Sequence, residues 1–402
     1  MPDHDNFVGH QLVVMSKSIF IIAGEASGDL HGSGLIRAIK AKLPDCKIAG
    51  IGGPKMVDAG LDAIFPSSRL AVVGLAEIFA HTWPILSAFY KTRVYLKKER
   101  PDLLILIDYP EFNLLMAGYA KGLGIPVFYY ISPQVWAWRQ GRVRRLKRSI
   151  DEMAVILPFE EDFFSRYGLK VRFVGHPLLD SVKVQSSKEE FCRSNSLSIG
   201  SSTVGLLPGS RHGEVQRIFP VMADAACLIS RLRPSVQFVA AVAPSIDIQL
   251  MKDMARACAG RDGPDIRLIQ GRTYDVMAAS NLVIAASGTV TLEAAILGVP
   301  LIVTYKVSPL SYHLGRHLIK VPYASLVNLV AGRMVAPEFL QNDATPEAIA
   351  NEALAILGDD ARRERMVQDL AIVTGRLGQP GAADRAANIA LGLLKRSNPA
   401  SR

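Results

Sequence analysis

The sequence predicts an α/β protein built as two Rossmann-like domains, each around a parallel sheet, facing one another across a cleft. Three observations carry that expectation. Short apolar runs alternate with helix-period segments along most of the chain, the pattern of parallel strands covered on both faces. The alternation starts twice, each time as a strand, a glycine-bearing turn and a helix. The chain has 402 residues, of which 49% are hydrophobic and 21% charged. That is enough for two cores, and it excludes a disordered, collagen-like or coiled-coil chain.

Residues 1–17 read as a loose tail. Asp3 and Asp5 stand where a secretory leader would be basic, and Leu12–Met15 is too short for its apolar core. Ser18–Ala23 is the first buried strand, followed by a glycine-rich turn at Gly24–Gly34 and a helix over Leu30–Leu43. Lys47–Gly50, Leu103–Ile107, Val127–Tyr130 and Met153–Leu157 complete the strands of a first domain, residues 18–178. Residues 179–203 form a linker, since Gln185–Ser202 is rich in serine and charge with room for one short helix. The second domain, 204–375, uses strands at Thr203–Leu207, Gln237–Ala243, Ile266–Ile269, Leu282–Ala285 and Leu301–Thr304, with a helix around Glu214–Leu232. Pro346–Leu357 and Ala382–Leu394 are alanine- and leucine-rich helices. The second is closed by Asn398-Pro399, within a C-terminal helix and tail at 376–402.

Lys+Arg 46 against Asp+Glu 37 leaves a net charge of +9, which suits nucleic acid, a phosphorylated ligand or an anionic membrane surface. Four dispersed cysteines, Cys46, Cys192, Cys227 and Cys258, point to a reducing compartment and build no zinc site. The uncharged stretch Gly122–Trp138 is broken by Pro126 and Pro133 and reads as strand and loop, so no membrane span is expected. The expected location is the cytoplasm, at most resting on a membrane.

Open parallel sheets bind ligands outside the carboxyl ends of their strands, where loops enter helix N-termini. Four loops have that position. Gly24–Gly34 has neither dinucleotide nor P-loop glycine spacing, yet its glycines admit a ligand to the backbone, and Glu25, Ser27, Asp29 and His31 offer polar groups. The plainer reading is a tight turn with Asp29 near a helix start. Asp108 ends the run LLILI and opens Asp108–Asn113. Its carboxylate is a candidate general base or an anchor for a sugar hydroxyl, with capping of the next helix as the alternative. In Leu207-Pro208-Gly209-Ser210-Arg211, backbone N–H groups after the glycine, a hydroxyl and a guanidinium suit a diphosphate, unless the arginine is merely solvated. Ser287-Gly288-Thr289 opens a helix, and Glu293 about one turn on could accept both hydroxyls of a ribose, although an isolated glutamate is more often a plain helix residue. Together these loops predict a nucleotide-diphosphate donor on the second domain and an acceptor on the first. No His/Asp/Glu set has ligand spacing, and Arg211 with helix dipoles can neutralise a leaving diphosphate, so neither metal nor cofactor is expected.

With the motifs AGEASGDLHG (Ala23–Gly32), GGPKM (Gly52–Met56), SPQVWAWR (Ser132–Arg139), GHPL (Gly175–Leu178), LPGSR (Leu207–Arg211), SGTVTLE (Ser287–Glu293) and SLVNLVAGR (Ser325–Arg333), the chain resembles the lipid-A-disaccharide synthases from Ser18 to about Leu394. The resemblance implies a GT-B glycosyltransferase of family 19, inverting and metal-independent, in lipid A biosynthesis of Gram-negative bacteria. It implies transfer of a 2,3-diacylglucosamine unit from UDP to 2,3-diacylglucosamine 1-phosphate, giving a β(1→6) disaccharide and UDP. Carried over by position, Asp108 would be the catalytic aspartate and Arg211 an essential arginine of the phosphate region. UDP would lie on Gly209, Ser210, Arg211, Ser287, Gly288, Thr289 and Glu293, with Asn328 nearby. Glu25, Ser27, Asp29, His31 and Asn113 fall to the acceptor side of the cleft. Glu111 departs from the family's usual aspartate, which leaves the role of a second carboxylate open. The family's exchange of C-terminal segments between two subunits implies a homodimer, which the tail helices permit.

An acyl substrate requires an apolar surface. Leu70–Tyr90 supplies Val73, Leu75, Phe79, Trp83 and Leu86, followed by Lys91, Arg93, Lys97, Lys98 and Arg100. An apolar patch beside basic residues suits a segment lying on an anionic membrane, here the cytoplasmic face of the inner membrane, against the plainer reading of a buried helix followed by a solvated one. Arg139–Arg148 adds six basic residues, with Val143, Leu146 and Ile150 at helical spacing on the other face. Nucleic acid competes for both clusters, but no recognised motif supports it. Two further readings stand beside a transferase: a UDP-sugar epimerase of the same architecture, and a non-catalytic membrane-bound nucleotide-sugar sensor that would tolerate loss of Asp108.

Overall fold

The computed structural model describes residues 17–67, 78–259, 263–308 and 321–396. Among these, the first sheet comprises β1 (Ser18–Ala23), β2 (Lys47–Gly52), β3 (Asp62–Pro66), β4 (Leu103–Ile107), β5 (Val127–Tyr130), β6 (Glu152–Val155) and β7 (Arg172–Phe173), in the order β3-β2-β1-β4-β5-β6-β7. The second comprises β8 (Thr203–Leu207), β9 (Gln237–Val242), β10 (Ile266–Gln270), β11 (Leu282–Ala286), β12 (Leu301–Tyr305) and β13 (Glu338–Leu340), in the order β10-β9-β8-β11-β12-β13. Neighbouring strands run parallel in both, as between β1 and β4 and between β8 and β11. All the expected strands are present. β3, β7 and β13 are additional, and each sits at a sheet edge, where a short, half-exposed strand needs no unbroken apolar run.

Around the first sheet lie α1 (Ala26–Lys42), α2 (Pro54–Asp58), α3 (Ile78–Glu99), α4 (Pro110–Gly122), α5 (Val143–Ser149) and α6 (Phe159–Ser165). The crossing to the second sheet holds α7 (Leu178–Ser181) and α8 (Lys188–Ser194). The second sheet carries α9 (His212–Leu232), α10 (Ile248–Ala259), α11 (Thr273–Ala279), α12 (Val290–Ile296), α13 (Leu326–Ala331), α14 (Pro346–Gly358) and α15 (Asp360–Arg376), and α16 (Ala382–Arg396) ends the described chain. Alternate strand residues feed two cores. Phe20, Ile22, Leu104 and Leu106 meet Ala88 and Leu96 of α3, Phe112 and Ala117 of α4, and Val143 and Leu146 of α5. Ile19, Ile21, Ile105 and Ile107 belong with Leu35 and Ile39 of α1 and Ala386 and Ala390 of α16.

One boundary differs in a way that matters. α1 begins at Ala26, so most of the expected glycine-rich turn is its first turns. The glycines serve close packing: a Cβ on Gly28 would lie 3.2 Å from Ala23 Cβ, and one on Gly32 would lie 2.6 Å from Met56 Sδ. The expected linker helix is α8, whose first turn is capped by Ser187 Oγ accepting from Glu190 N–H at 3.2 Å.

The chain crosses between sheets twice, and the crossings touch. His176 N–H donates to the Leu377 carbonyl (2.9 Å), Gly381 N–H to the Asp180 carboxylate (2.8 and 3.0 Å), and Arg385 Nε to the Val174 carbonyl (2.9 Å). α16 thus returns to the first domain, where Asp384 pairs with Lys42 at 2.8 Å and Arg396 with Glu152 at 3.2 Å. No helix among the described residues is long and apolar enough to cross a membrane.

Candidate active site

Strand order reverses between β1 and β4 in one sheet and between β8 and β11 in the other. Loops leaving the carboxyl ends of such strands diverge and open a crevice, where ligands of open α/β sheets bind. These four strands lead into Glu25, Asp108, Arg211 and the Ser287–Glu293 segment. The two crevices meet, because Arg211 Nη2 lies 3.7 Å from Glu25 Oε2.

Asp108 and Tyr109 both have left-handed backbones, with φ of 45° and 47°. That is a costly conformation for residues with side chains, held only where surroundings impose it. Here the Asp108 carbonyl accepts from the Tyr129 hydroxyl (2.6 Å) and Asn113 Nδ2 (2.7 Å), and Asp108 N–H donates to the Ile131 carbonyl (3.3 Å). Asn113 also donates to the Ile107 carbonyl at 3.2 Å. Its buried amide nitrogen therefore fixes the end of β4, while its Oδ1 is buried without a hydrogen-bond partner among the described residues. The ring of Tyr109 lies against Gly24, leaving no room there for a Cβ. The N-cap position of α4 is Tyr109, so Asp108 does not cap it. Burial first, then the charge of Glu25, pushes the Asp108 carboxyl up to about 6, against the pull of Tyr109 N–H and Arg211. A rigidly held carboxyl tuned toward neutral pH is suited to general-base work.

On the loops of the second sheet, Glu293 is pushed up to about 7 by burial, with Tyr274 close enough to feel its charge. Ser287 Oγ donates to the Ala324 carbonyl at 2.7 Å, while Thr289 is exposed at the N-cap position of α12 beside Gly288. Gly209 has φ 106°, and the Glu214 carboxylate lies directly against it, close enough to the N–H groups of Ser210 and Arg211 for them to oppose the upward push of burial on its carboxyl. The N–H groups expected to face a diphosphate thus lie beside a carboxylate. Ser210 and Arg211 are both exposed on this loop. Glu214 stands at the N3 position of α9, the capping-box place, and that spacing was present in the sequence.

Asn328 is fully buried and satisfied within the chain. Its Nδ2 donates to the Ala336 carbonyl and to Glu338 Oε1, both at 2.8 Å, and its Oδ1 accepts from Val335 and Ala336 N–H at 2.8 and 2.9 Å. With Glu338, which also accepts from Ala324 and Ser325 N–H, it fixes the segment that holds Ser287. It stands behind the Ser287 loop, with its amide bonded within the chain.

Asp29 differs from expectation in the same way. Its carboxylate caps α2, accepting from the N–H groups of Gly53 (3.0 Å), Lys55 (3.2 Å) and Met56 (2.9 Å). A Cβ on Gly53 would lie 2.6 Å from Asp29 Cγ, so GEASGD and GGPKM form one interlocked device. Ser27 is exposed on the first turn of α1. Burial and Lys55 hold His31 down to about 4, and burial and His31 hold His176 down to about 3, so both imidazoles are neutral at pH 7. Glu111 pairs with Arg139 at 2.8 Å and with Arg142, tying α4 to the SPQVWAWR segment. Sequence reasoning missed Glu160. It is buried and accepts from the Ser132 hydroxyl, Trp136 Nε1 (3.1 Å) and the N–H groups of Ile156 (3.1 Å) and Leu157 (2.8 Å), fixing that same segment.

Val73 and Leu75 lie outside the described residues, as does the Phe79 side chain. Along α3, Trp83, Leu86, Tyr90 and Val94 are 79, 55, 70 and 45% exposed. At spacings of three and four they form one stripe facing solvent, so this part of the helix is not core. Lys91, Arg93 and Lys97 are exposed beside it. On α5, Val143 and Leu146 are buried and the arginines point outward.

Two facing Rossmann-type sheets, with loops gathered at both reversals of strand order, define the GT-B class. Solved structures of like fold include MurG of Acinetobacter baumannii (TM-score 0.56, 14% identity, covering 94% of this chain and 99% of that one). Another is the UDP-GlcNAc 2-epimerase of Neisseria meningitidis bound to UDP-GlcNAc (TM-score 0.58, 13% identity, 95% and 99% covered). Fold alone therefore does not separate transferase from epimerase. The family model for lipid-A-disaccharide synthetase matches residues 19–390. The lipid-A-disaccharide synthase of Syntrophus aciditrophicus (strain SB) is 50% identical over 383 residues, covering 95% of this chain and 99% of that protein. The chain belongs to the lipid-A-disaccharide synthase family and is a glycosyltransferase of lipid A biosynthesis; the epimerase reading is not favoured.

Proposed function

We propose that the enzyme transfers 2,3-diacylglucosamine from UDP to the 6-hydroxyl of 2,3-diacylglucosamine 1-phosphate, with inversion at C1 and without a metal. The observation that carries the chemistry is Asp108: a buried, backbone-locked carboxyl at a strand end, with Arg211 of the other domain near enough to influence it. Asp108 takes the proton of the acceptor hydroxyl as its oxygen attacks C1 of the donor sugar. The C1–O bond to the diphosphate breaks on the opposite side, and UDP leaves with the bonding pair. Arg211 and the N-terminus of α12 at Ser287–Thr289 stabilise the leaving charge, and Glu293 holds the ribose hydroxyls. Glu25 and Ser27, on the first turn of α1, are left for the acceptor.

The exposed α3 stripe with its lysines and arginine supports peripheral binding to the anionic cytoplasmic face of the inner membrane, where both glycolipids reside. Exchange of α16 between two subunits would reuse the contacts it makes within one chain. The test is incubation with UDP-2,3-diacylglucosamine and the 1-phosphate acceptor. UDP and a tetraacyl disaccharide 1-phosphate with a β linkage are expected, whereas an α linkage or strict dependence on added divalent cation would refute the inverting, metal-independent reading.

A further inference from the structure

Among the described residues, Arg211–Glu25 is the ion pair that joins the loops of the two sheets across the cleft. Both partners sit on firm ground. Glu25 is the N-cap residue of α1, its carbonyl accepting from Asp29 N–H at 2.9 Å, and Arg211 is the N-cap residue of α9. The exposed Arg211 guanidinium is a group this loop can offer an anion, and it faces a carboxylate supplied by the other domain. A diphosphate carries more charge and more acceptor oxygens than one carboxylate, so it is the stronger partner for a guanidinium.

We propose that Glu25 is a positioning residue that holds Arg211 across the cleft until the donor's diphosphate displaces it, leaving the Glu25 carboxylate unpaired beside Asp108 only in the donor complex. The inference rests on the reading of Arg211 as the diphosphate's partner. It has two consequences. Glu25 competes with the donor for Arg211, so donor affinity is held slightly below what the site could reach. Once released, Glu25 raises the proton affinity of Asp108, so the base is strongest when a sugar is in place to be transferred. Among the described residues, the groups facing Asp108 are Glu25 from α1, Arg211 from the loop after β8, Tyr109 N–H from α4, and Tyr129 of β5 and Asn113 of α4 on its carbonyl; of these, Glu25 and Arg211 are charged.

The experiment is titration calorimetry with UDP on the full-length wild type, Glu25→Gln, Arg211→Ala and the double variant, together with the pH profile of kcat for wild type and Glu25→Gln. Glu25→Gln is expected to bind UDP about two- to fivefold tighter near 0.05 M salt, the range that an exposed ion pair commands. The gain should vanish near 1 M salt, where the screening length is about 3 Å, and in the Arg211→Ala background. The acidic limb of kcat should move to lower pH in Glu25→Gln, because Asp108 loses a neighbouring negative charge; a merely structural role would move neither readout. Unchanged or weaker UDP binding by Glu25→Gln overturns the proposal. So does a gain that survives in Arg211→Ala, or a loss confined to acceptor KM. A wild type that binds no UDP overturns the donor-site reading itself.

Discussion

Replacing Asp108 by asparagine should cripple the enzyme and stabilise the fold at the same time. Asparagine keeps size and hydrogen-bonding capacity but accepts no proton, and a positioned base contributes about 10²–10⁴-fold, or roughly 3–5 kcal/mol of barrier. A fall in kcat of at least a hundredfold is expected. The backbone should hold its strained shape, because Tyr129, Asn113 and Ile131 bond the Asp108 carbonyl and N–H, and an asparagine oxygen can still accept from Tyr109 N–H.

Stability moves the other way. The folded carboxyl is pushed from 3.8 up to about 6 by burial and Glu25, so folding favours its neutral form. Between those pH values the unfolded chain has released the proton and the folded chain has not. Stability therefore falls as pH rises through that window and stays at the lower level above it. A shift of about two units corresponds to roughly 3 kcal/mol, and solvent at the cleft mouth reduces it, leaving about 1–3 kcal/mol. Denaturant unfolding should show Asp108→Asn more stable than wild type by that amount at pH 7.5, the difference closing near pH 4. UDP release under saturating substrates reads kcat. A kcat within about fivefold of wild type would move the base role to Glu25 or His31, and lost UDP affinity would make Asp108 a donor-site residue. A variant less stable than wild type at pH 7.5 would refute the claim that the ionised carboxylate is held at a cost.

Glu293→Ala should weaken UDP binding by about 1.5–3 kcal/mol, the range for hydrogen bonds to a charged group. Wild-type affinity should decline as pH falls through about 7, where Glu293 takes up its proton, and calorimetry that finds neither effect removes Glu293 from the ribose site. Asp29→Ala should cost about 1–2 kcal/mol of stability through the lost cap of α2 with UDP affinity unchanged; a selective loss of acceptor affinity without destabilisation would return Asp29 to the cleft. Changing Trp83, Leu86 and Tyr90 together to serine should abolish flotation with anionic vesicles, and neutralising Lys91, Arg93 and Lys97 should do so mainly below about 0.15 M salt. Flotation equal to wild type in both variants would refute the membrane face.

What was legible in the sequence follows from where each element sits. Central strands of a doubly covered parallel sheet are buried on both faces and must be apolar throughout, so LLILI, VFYY and LVIAA announce themselves. β3, β7 and β13 lie at edges, with exposed or half-exposed residues, and carry no such signature. The start of α1 was misread because glycine is a poor helix former in isolation, whereas Gly28 and Gly32 are set by contacts with Ala23 and with Met56, the latter more than twenty residues away. Local propensity cannot see such a partner.

The site was legible as position and much less as role. The carboxyl ends of strands located Glu25, Asp108, Arg211 and Glu293 in the sequence alone; that all four follow the strands at the two reversals of order came from the structure. Which polar group then remains free for a ligand depends on what the rest of the chain has already bonded. Asp29 and Asn328 stand near the right loops, yet their acceptors are filled by backbone N–H groups of their own fold. A shifted pKa does not sort them either. Glu160 and Glu293 are both pushed up to about 7 by burial, but Glu160 accepts four hydrogen bonds, from Ser132, Trp136, Ile156 and Leu157. For Glu293 burial acts alone. A half-buried carboxylate with no hydrogen-bond donor among the described residues keeps its desolvation cost until a ligand supplies donors. That asymmetry, more than the shift itself, is the reason to assign Glu293 to the ribose and Glu160 to the scaffold.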